Sequence, residues 1–194
     1  MTERFDAAIS RFDAINNADP RRVSVDGADI GSELLYARQM SEWANRLYPD
    51  ASEVLRLAAR AQHIKRWEIP RNTFPMDRAG YHRWRTTLYS FHADVAEGVL
   101  REVGYDDATI SRVRSLLKKE RLKADPETQA LEDVICLVFL ENYFADFAPK
   151  HEEDKVITIL RRTWAKMSGV GQKAALELQM PAEARRLVEK ALAV

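Results

Sequence analysis

Glycine, proline and cysteine are all scarce in this sequence. Seven glycines and seven prolines in 194 residues leave long stretches without a residue that breaks a helix. The single cysteine excludes an internal disulfide framework. Cys136 lies in the most apolar run of the chain, so we expect a buried free thiol and a cytoplasmic location, where thiols stay reduced.

Long apolar runs and a surplus of either charge are also missing. No apolar run approaches the roughly 18 residues of a membrane helix, and the first residues lack the basic and apolar regions of a signal peptide. We therefore expect no membrane partner. The 30 basic and 30 acidic side chains cancel, which removes any general attraction to nucleic acid but leaves room for a local basic patch.

Helical periodicity runs through most of the chain, and no convincing strand alternation interrupts it. The short stretch Val23-Ser-Val is interpreted as a loop. No internal repeat and no long linker divides the sequence. These patterns predict an all-α fold, a single-domain helical bundle covering residues 1–194.

Two predicted helices have clear boundaries. Asp77 is a good N-cap for a long helix that reaches about Val103 and is closed by Gly104. Asp125-Pro126 is typical of a helix start. The helix that follows, to about Phe147, is apolar nearly all round, so we expect it to be the central buried helix.

The chain is organised around the stretch from Leu55 to Arg71. It begins as an amphipathic helix that we expect to end near Trp67. Gln62 and His63 continue the inward-facing stripe of this helix. Basic and aromatic side chains then follow as far as Arg71, which suggests the floor and rim of an anion pocket.

Three further groups of side chains could carry chemistry. Glu132 and Asp133 precede the apolar run of the central helix, where they either face solvent or form a buried pair that needs a cation. His63 and His92 each end an apolar face, where a histidine is either a hydrogen-bonded core residue or a ligand.

The cations form the third group. They either are solvated and weakly paired or bind phosphate through planar donor forks, with neighbouring aromatic rings suited to stacking on a base. The candidate ligand-binding residues are Arg38, Arg66, Arg71, Trp84, Arg85 and Lys118.

Several strings of the sequence resemble the family called domain of unknown function 4202. They are Glu33-Leu-Leu-Tyr-Ala-Arg38, Arg60-Ala-Gln-His-Ile-Lys-Arg-Trp67, Pro70-Arg71, Tyr81-His-Arg-Trp-Arg85 and Leu131-Glu-Asp-Val-Ile-Cys-Leu-Val-Phe-Leu140. The resemblance covers roughly residues 18–178. This family resemblance implies no established activity.

A more distant likeness is to the HD-domain metal phosphohydrolases. The helix around His63 is similar to the one that carries their His-Asp doublet, and Leu131-Glu-Asp-Val134 is similar to the later helix with their final aspartate. By this resemblance His63 would be the doublet histidine, Asp133 the last acidic ligand, and Glu33 would replace a histidine. Ile64 stands where the doublet has its aspartate, so the chain departs from the HD pattern at that metal ligand.

The leading hypothesis is therefore an HD-like bundle that binds, and in one version hydrolyses, a phosphorylated small molecule such as a nucleotide. In the hydrolytic version Glu33, His63, His92 and Asp133 would hold a divalent metal such as manganese, zinc, magnesium or iron. Glu132 would join His63 and Asp133 in catalysis. Alternatives are a non-catalytic module that binds RNA or a partner protein through Trp67, Tyr81, Trp84 and the arginines, and a purely structural scaffold.

Overall fold

The computed structural model describes residues 2–193 and confirms the all-α prediction. Its elements in chain order are α1 Glu3–Asn17, β1 Arg22–Val25, β2 Ala28–Gly31, α2 Ser32–Leu47, α3 Glu53–Ala61, α4 Arg78–Glu102, α5 Asp107–Leu117, α6 Pro126–Asn142, α7 Phe144–Phe147, α8 Glu153–Lys166, α9 Gly169–Leu176 and α10 Ala182–Leu192. Short 3₁₀ turns at Arg66–Glu68, Arg71–Thr73 and Ala148–Lys150 complete the list of helical segments. No helix within residues 2–193 has the length and apolar character needed to cross a membrane.

The interpretation of Val23-Ser-Val as a loop was wrong. Residues 22–25 and 28–31 form an antiparallel hairpin with Val25 opposite Ala28. Its two turn residues, Asp26 (φ 51°) and Gly27 (φ 79°), are both left-handed, as the tight two-residue hairpin turn requires. Asp-Gly is a strong hairpin signal, but strands of four residues are too short to show a convincing alternation. The hairpin leads directly into α2.

The helix α6 is confirmed as the central helix of the bundle. It packs against α2, α3, α5, α8 and α9, and Val134, Leu137 and Val138 are fully buried. Asp125 caps its start by accepting hydrogen bonds from the backbone N–H groups of Glu127 (3.0 Å) and Thr128 (2.9 Å). The predicted end at Phe147 was too late, because the backbone leaves helical geometry at Tyr143 and resumes as α7.

The end of α3 also differs from the prediction. The regular helix stops at Ala61 instead of Trp67, because Lys65 adopts a left-handed conformation (φ 54°) that turns the chain. The carbonyl of Ile64, left free by this break, accepts a hydrogen bond of 2.7 Å from the ring of His92 on α4. The break brings Gln62, His63 and Arg66 to a surface that faces α4 and α6.

The boundaries of α4 agree with the prediction. Asp77 accepts a hydrogen bond of 2.6 Å from the N–H of Gly80, and Gly104 ends the helix in a left-handed conformation (φ 83°). After α5, the chain passes through three left-handed residues, Lys119, Arg121 and Lys123. This irregular loop brings Lys119 back toward α6, beside the end of α3.

Candidate functional site

A cavity of about 1050 Å³ lies between α2, the end of α3, α4, α6 and α8. Its wall is strongly cationic although the chain as a whole is neutral. The nine basic side chains of the wall are Arg21, Arg66, Arg71, Arg78, Arg85, Lys119, Lys155, Arg162 and Lys166. Only three acidic side chains, Glu33, Asp77 and Glu132, share it. The cavity therefore carries a local excess of positive charge in a chain that is neutral overall.

All four histidines of the chain line this same cavity, although they come from separate parts of the sequence. His63 follows α3, His82 and His92 lie on α4, and His151 precedes α8. The rings of His63 and His92 are 5.9 Å apart, centre to centre. The two histidines that the sequence singled out are therefore neighbours at the inner end of the cavity.

Glu33 occupies the inner end of the cavity next to His63. Its Oε1 accepts a hydrogen bond of 2.6 Å from Arg21, which also pairs with the buried Asp19 at 2.9 Å. Its other oxygen, Oε2, lies 3.6 Å from Nδ1 of His63. Burial raises the pKa of Glu33, and the charge of Arg21 opposes the rise.

The ring of His63 is held flat against Tyr36. The two rings stack with centres 4.0 Å apart and planes 13° apart. Burial holds the pKa of His63 well below its ordinary value of 6.5, and the charges of Arg66 and Lys119 act in the same direction. His63 is therefore neutral at pH 7, and an anion placed among these cations would favour its protonated form.

His92 is almost fully buried, with 2% of its surface exposed. Because Nδ1 lies 2.7 Å from the carbonyl oxygen of Ile64, Nδ1 is the protonated nitrogen. Nε2 is an acceptor with no partner among residues 2–193. Burial and the neighbouring His63 lower the pKa of His92 to about 3.

This burial predicts a pH dependence of stability. Between pH 6.5 and the folded-state pKa of about 3, the unfolded chain binds a proton at His92 and the folded chain does not. The contribution of His92 to the free energy of unfolding is therefore fully present above pH 6.5. Below that pH it decreases by about 1.4 kcal/mol per pH unit. Urea unfolding at pH 7.5, 6.5, 5.5 and 5.0 measures the slope. His92→Gln should have a shallower slope than the wild type over this range, and equal slopes would contradict the assignment.

Two arginines at the inner end of the wall, Arg66 and Arg85, lack carboxylate partners among residues 2–193. Arg66 lies over the ring of Trp84 at 4.7 Å and forms no ion pair within the part of the chain that the structure describes. Arg85 donates hydrogen bonds to the hydroxyl groups of Tyr81 and Tyr89 and likewise has no carboxylate within 4.0 Å there. Burial lowers the pKa of Arg66. An anion in the cavity would stabilise these charged, partly desolvated guanidinium groups, which have no carboxylate counter-ion.

The opposite wall carries a buried carboxylate between two lysines. Glu132 is 2% exposed and pairs with Lys119, and with Lys166 at 3.5 Å. Burial would raise the pKa of Glu132, but the two lysines outweigh burial and lower it. This carboxylate holds the lysine side chains at the cavity wall.

Asp133 lies next to Glu132 in sequence but faces away from the cavity. Its carboxylate accepts hydrogen bonds from the N–H (2.7 Å) and hydroxyl (2.5 Å) of Ser168 and from the hydroxyl of Tyr48 (2.7 Å). Gln129 adds a fourth bond at 3.0 Å. Asp133 thus joins α6 to the start of α9 and does not line the cavity.

The structure brings most of the predicted site residues together. Glu33, His63, Arg66, Arg71, Arg85, His92 and Glu132 line the cavity, whereas Arg38, Trp84, Lys118 and Asp133 do not. Arg38 is exposed on α2. Trp84 is buried beneath Arg66 and donates a hydrogen bond of 2.8 Å to the carbonyl of Ile69.

The four predicted metal ligands do not meet at one point, because Glu33, His63 and His92 line the cavity and Asp133 does not. Among residues 2–193, no group of three or more His, Cys, Asp or Glu side chains is arranged to hold a metal ion. Asp133 is directed toward Ser168, and one oxygen of Glu33 is engaged by Arg21. These residues do not form the donor set that the HD resemblance implies.

Sequence reasoning missed several residues of the wall. Lys155, Arg162 and Lys166 follow one another at intervals of seven and four residues, which places them on one face of α8. This spacing could have identified them. Arg21 and Lys119 carry no such signal, because each is brought to the site by an irregular loop. Arg71 lines the cavity as predicted, but it also donates to the carbonyls of Phe74 and Pro75.

The chain belongs to the family described as "Domain of unknown function (DUF4202)", whose sequence profile matches residues 6–188. No curated protein and no solved structure matches the chain.

Proposed function

We propose that this protein binds a phosphorylated small molecule, of which a nucleotide is the expected class, in the cavity between α2, α4, α6 and α8. The observation that carries the proposal is the excess of nine basic over three acidic side chains in the wall of a neutral chain. Like charges repel when they are gathered in a concave surface, so a bound anion would stabilise such a cluster. Phosphate is the common anion that suits arginine forks and lysines together.

The inner cations provide the first phosphate site. Arg66 and Arg85 approach from the α3 end and from α4, and Lys119 approaches from the loop after α5. Because neither arginine is neutralised by a carboxylate among the described residues, both guanidinium groups are available to a ligand. Lys119 would exchange part of its pairing with Glu132 for the phosphate.

The aromatic side chains of the cavity support a nucleotide over a bare phosphate. Tyr36, Tyr81, Tyr89, Phe139, Tyr143 and Phe147 line the wall together with the cations. Aromatic rings provide flat apolar surface for a base or another ring. The proposed ligand therefore has an anionic part and a planar or apolar part.

Hydrolysis of the bound ligand and a relationship to the HD-domain phosphohydrolases are secondary proposals. Neutral His63, oriented near Glu33 at 3.6 Å, is placed to accept a proton from a water or hydroxyl group in the cavity. A divalent metal remains an expectation from the HD resemblance alone. A cytoplasmic location likewise remains an expectation from the single buried thiol.

RNA binding is the alternative prediction, and the state of Trp84 weighs against it. The ring of Trp84 is covered by Arg66 and its N–H is bonded to Ile69, so it does not present a free stacking face. Tyr81, at 41% exposure, is the most accessible aromatic ring of the predicted surface. No contact in the described structure favours binding of a partner protein over this alternative.

Titration calorimetry with adenosine monophosphate, adenosine and a single-stranded oligonucleotide tests the proposal. The monophosphate is expected to bind roughly tenfold or more tightly than adenosine, because one charge-assisted contact is worth at least about 1.4 kcal/mol. Equal binding of adenosine and its monophosphate would contradict a phosphate site. Binding of the oligonucleotide alone would support the RNA module instead. Release of inorganic phosphate, measured in the same samples, separates binding from hydrolysis.

A further inference from the structure

The wall formed by α8 presents a row of polar and cationic side chains to the cavity. Lys155, Arg162 and Lys166 all line it, and the hydroxyl-bearing Thr158 and Thr163 lie between them. Lys155 and Arg162 form no ion pair with a carboxylate in the described part of the chain, and Nζ of Lys155 lies 3.3 Å from Nδ1 of His151. This row therefore lacks the alternating charges of an ordinary solvated helix face.

The wall formed by α4 carries a second row. Arg78, His82 and Arg85 are spaced by four and three residues, so they share one face of the helix, and all three line the cavity. Arg78 is exposed and has no ion pair within residues 2–193. Two rows of cations on two different helices thus line the same space.

The length of these rows exceeds what one phosphate can contact. With a rise of 1.5 Å per residue, Lys155 and Lys166 are separated by roughly 16 Å along α8, and Arg78 and Arg85 by roughly 10 Å along α4. One phosphate held by Arg66, Arg85 and Lys119 would leave Lys155, Arg162 and Arg78 without an anion. The charge along both rows would be matched by a ligand with several phosphates in line.

We infer that the cavity takes a ligand with several phosphate groups in a row, the chemistry shared by nucleoside polyphosphates and inorganic polyphosphate. This inference rests on the proposed function and narrows it. The innermost phosphate contacts Arg66, Arg85 and Lys119. The following phosphates lie along α8, where Lys166 and then Arg162 and Lys155 contact them.

The test compares inorganic phosphate, diphosphate, triphosphate and tetraphosphate with adenosine monophosphate and triphosphate, by calorimetry without divalent cations. Affinity is expected to rise with phosphate number, by roughly tenfold or more from monophosphate to triphosphate, as each added group gains a charge-assisted contact. The double variant Lys155→Gln, Arg162→Gln should lose most of this rise. Its affinity for adenosine monophosphate should fall by less than its affinity for adenosine triphosphate, because the single phosphate lies at Arg66, Arg85 and Lys119.

A matched control removes one arginine and one lysine outside the cavity. Arg38 and Lys173 are exposed, do not line the cavity and have no ion pair among the described residues. The double variant Arg38→Gln, Lys173→Gln should therefore keep the rise in affinity with phosphate number. All four substituted side chains are exposed, so circular dichroism should report a folded chain for both variants.

Different results would overturn this inference and the proposed function. The inference is overturned if monophosphates bind and triphosphates bind no tighter. It is also overturned if the Lys155→Gln, Arg162→Gln variant keeps the full increase in affinity with phosphate number, because the row along α8 is then not part of the site. In both cases the proposed function stands. If no phosphate compound binds, both are overturned. A preference of tenfold or more for adenosine triphosphate over inorganic triphosphate assigns a nucleoside polyphosphate, and equal affinities assign inorganic polyphosphate.

Discussion

Replacing Asp133 by alanine is expected to lower the free energy of unfolding by about 3–5 kcal/mol. The side chain is fully buried and accepts four hydrogen bonds from Tyr48, Gln129 and Ser168. The alanine variant would leave these donors buried and without an acceptor. It would also leave a small empty space beside Gly171. In the wild type, a Cβ added to Gly171 would come within 2.8 Å of the Asp133 carboxylate.

Denaturant unfolding measures this effect, and Asp146→Ala is the matched control. Asp146 is exposed on α7 and makes no side-chain hydrogen bond within residues 2–193. Its loss should change the unfolding free energy by less than about 0.5 kcal/mol. An Asp133→Ala protein that is as stable as this control, but loses ligand or metal binding, would instead support the role of Asp133 as a ligand in an HD-type centre.

Replacing Arg66 by glutamine is expected to weaken the binding of a monophosphorylated ligand by roughly ten- to a hundredfold, since hydrogen bonds to charged groups contribute about 1.5–3 kcal/mol. Arg85→Gln should have a similar effect. Because both guanidinium groups face the same cavity without carboxylate partners among the described residues, the double variant should bind the ligand too weakly to measure. Calorimetry follows the titration, and the intrinsic tryptophan fluorescence, to which Trp84 beneath Arg66 contributes, is a second readout.

Two further substitutions make this prediction specific. Arg66→Lys keeps the charge but loses the planar fork, so an intermediate affinity is expected. Arg38→Gln removes an exposed arginine that does not line the cavity, and it should bind as the wild type does. If Arg38→Gln weakens binding as much as Arg66→Gln, the effect comes from net charge and not from the cavity.

The elements that sequence reasoning placed correctly are those whose boundaries depend on local chemistry. Asp77 begins α4 as a side-chain cap, and Gly104 ends the helix in a left-handed conformation. Asp125 and Pro126 begin α6 in the same local way. Such signals act within a few residues, so they are readable without knowledge of the fold.

The end of α3 was not readable in this way. Lys65 leaves the helical conformation although neither glycine nor proline is present there. The break is stabilised from a distance, since His92 bonds to the carbonyl of Ile64 and Asn16 accepts a hydrogen bond of 3.3 Å from the N–H of Lys65. Partners on other helices decide such a boundary.

The candidate site was predicted in part for the same reason. Periodicity indicated that His63 and His92 end inward-facing stripes, and the HD resemblance added Glu33; the three side chains meet at one end of the cavity. Periodicity could not separate Glu132 from Asp133, because α6 is apolar nearly all round and its own pattern does not indicate which face borders the cavity. The contribution of α8 depends on tertiary packing, which the sequence pattern alone does not specify.

The gathering of every histidine into one cavity has a practical consequence for spectroscopy. Imidazole ring protons resonate apart from most other side-chain signals in a proton NMR spectrum of this protein. Each such resonance comes from the same concave surface, two from its inner end and two from nearer its mouth. The unlabelled wild-type chain therefore carries its own set of probes for any compound that enters.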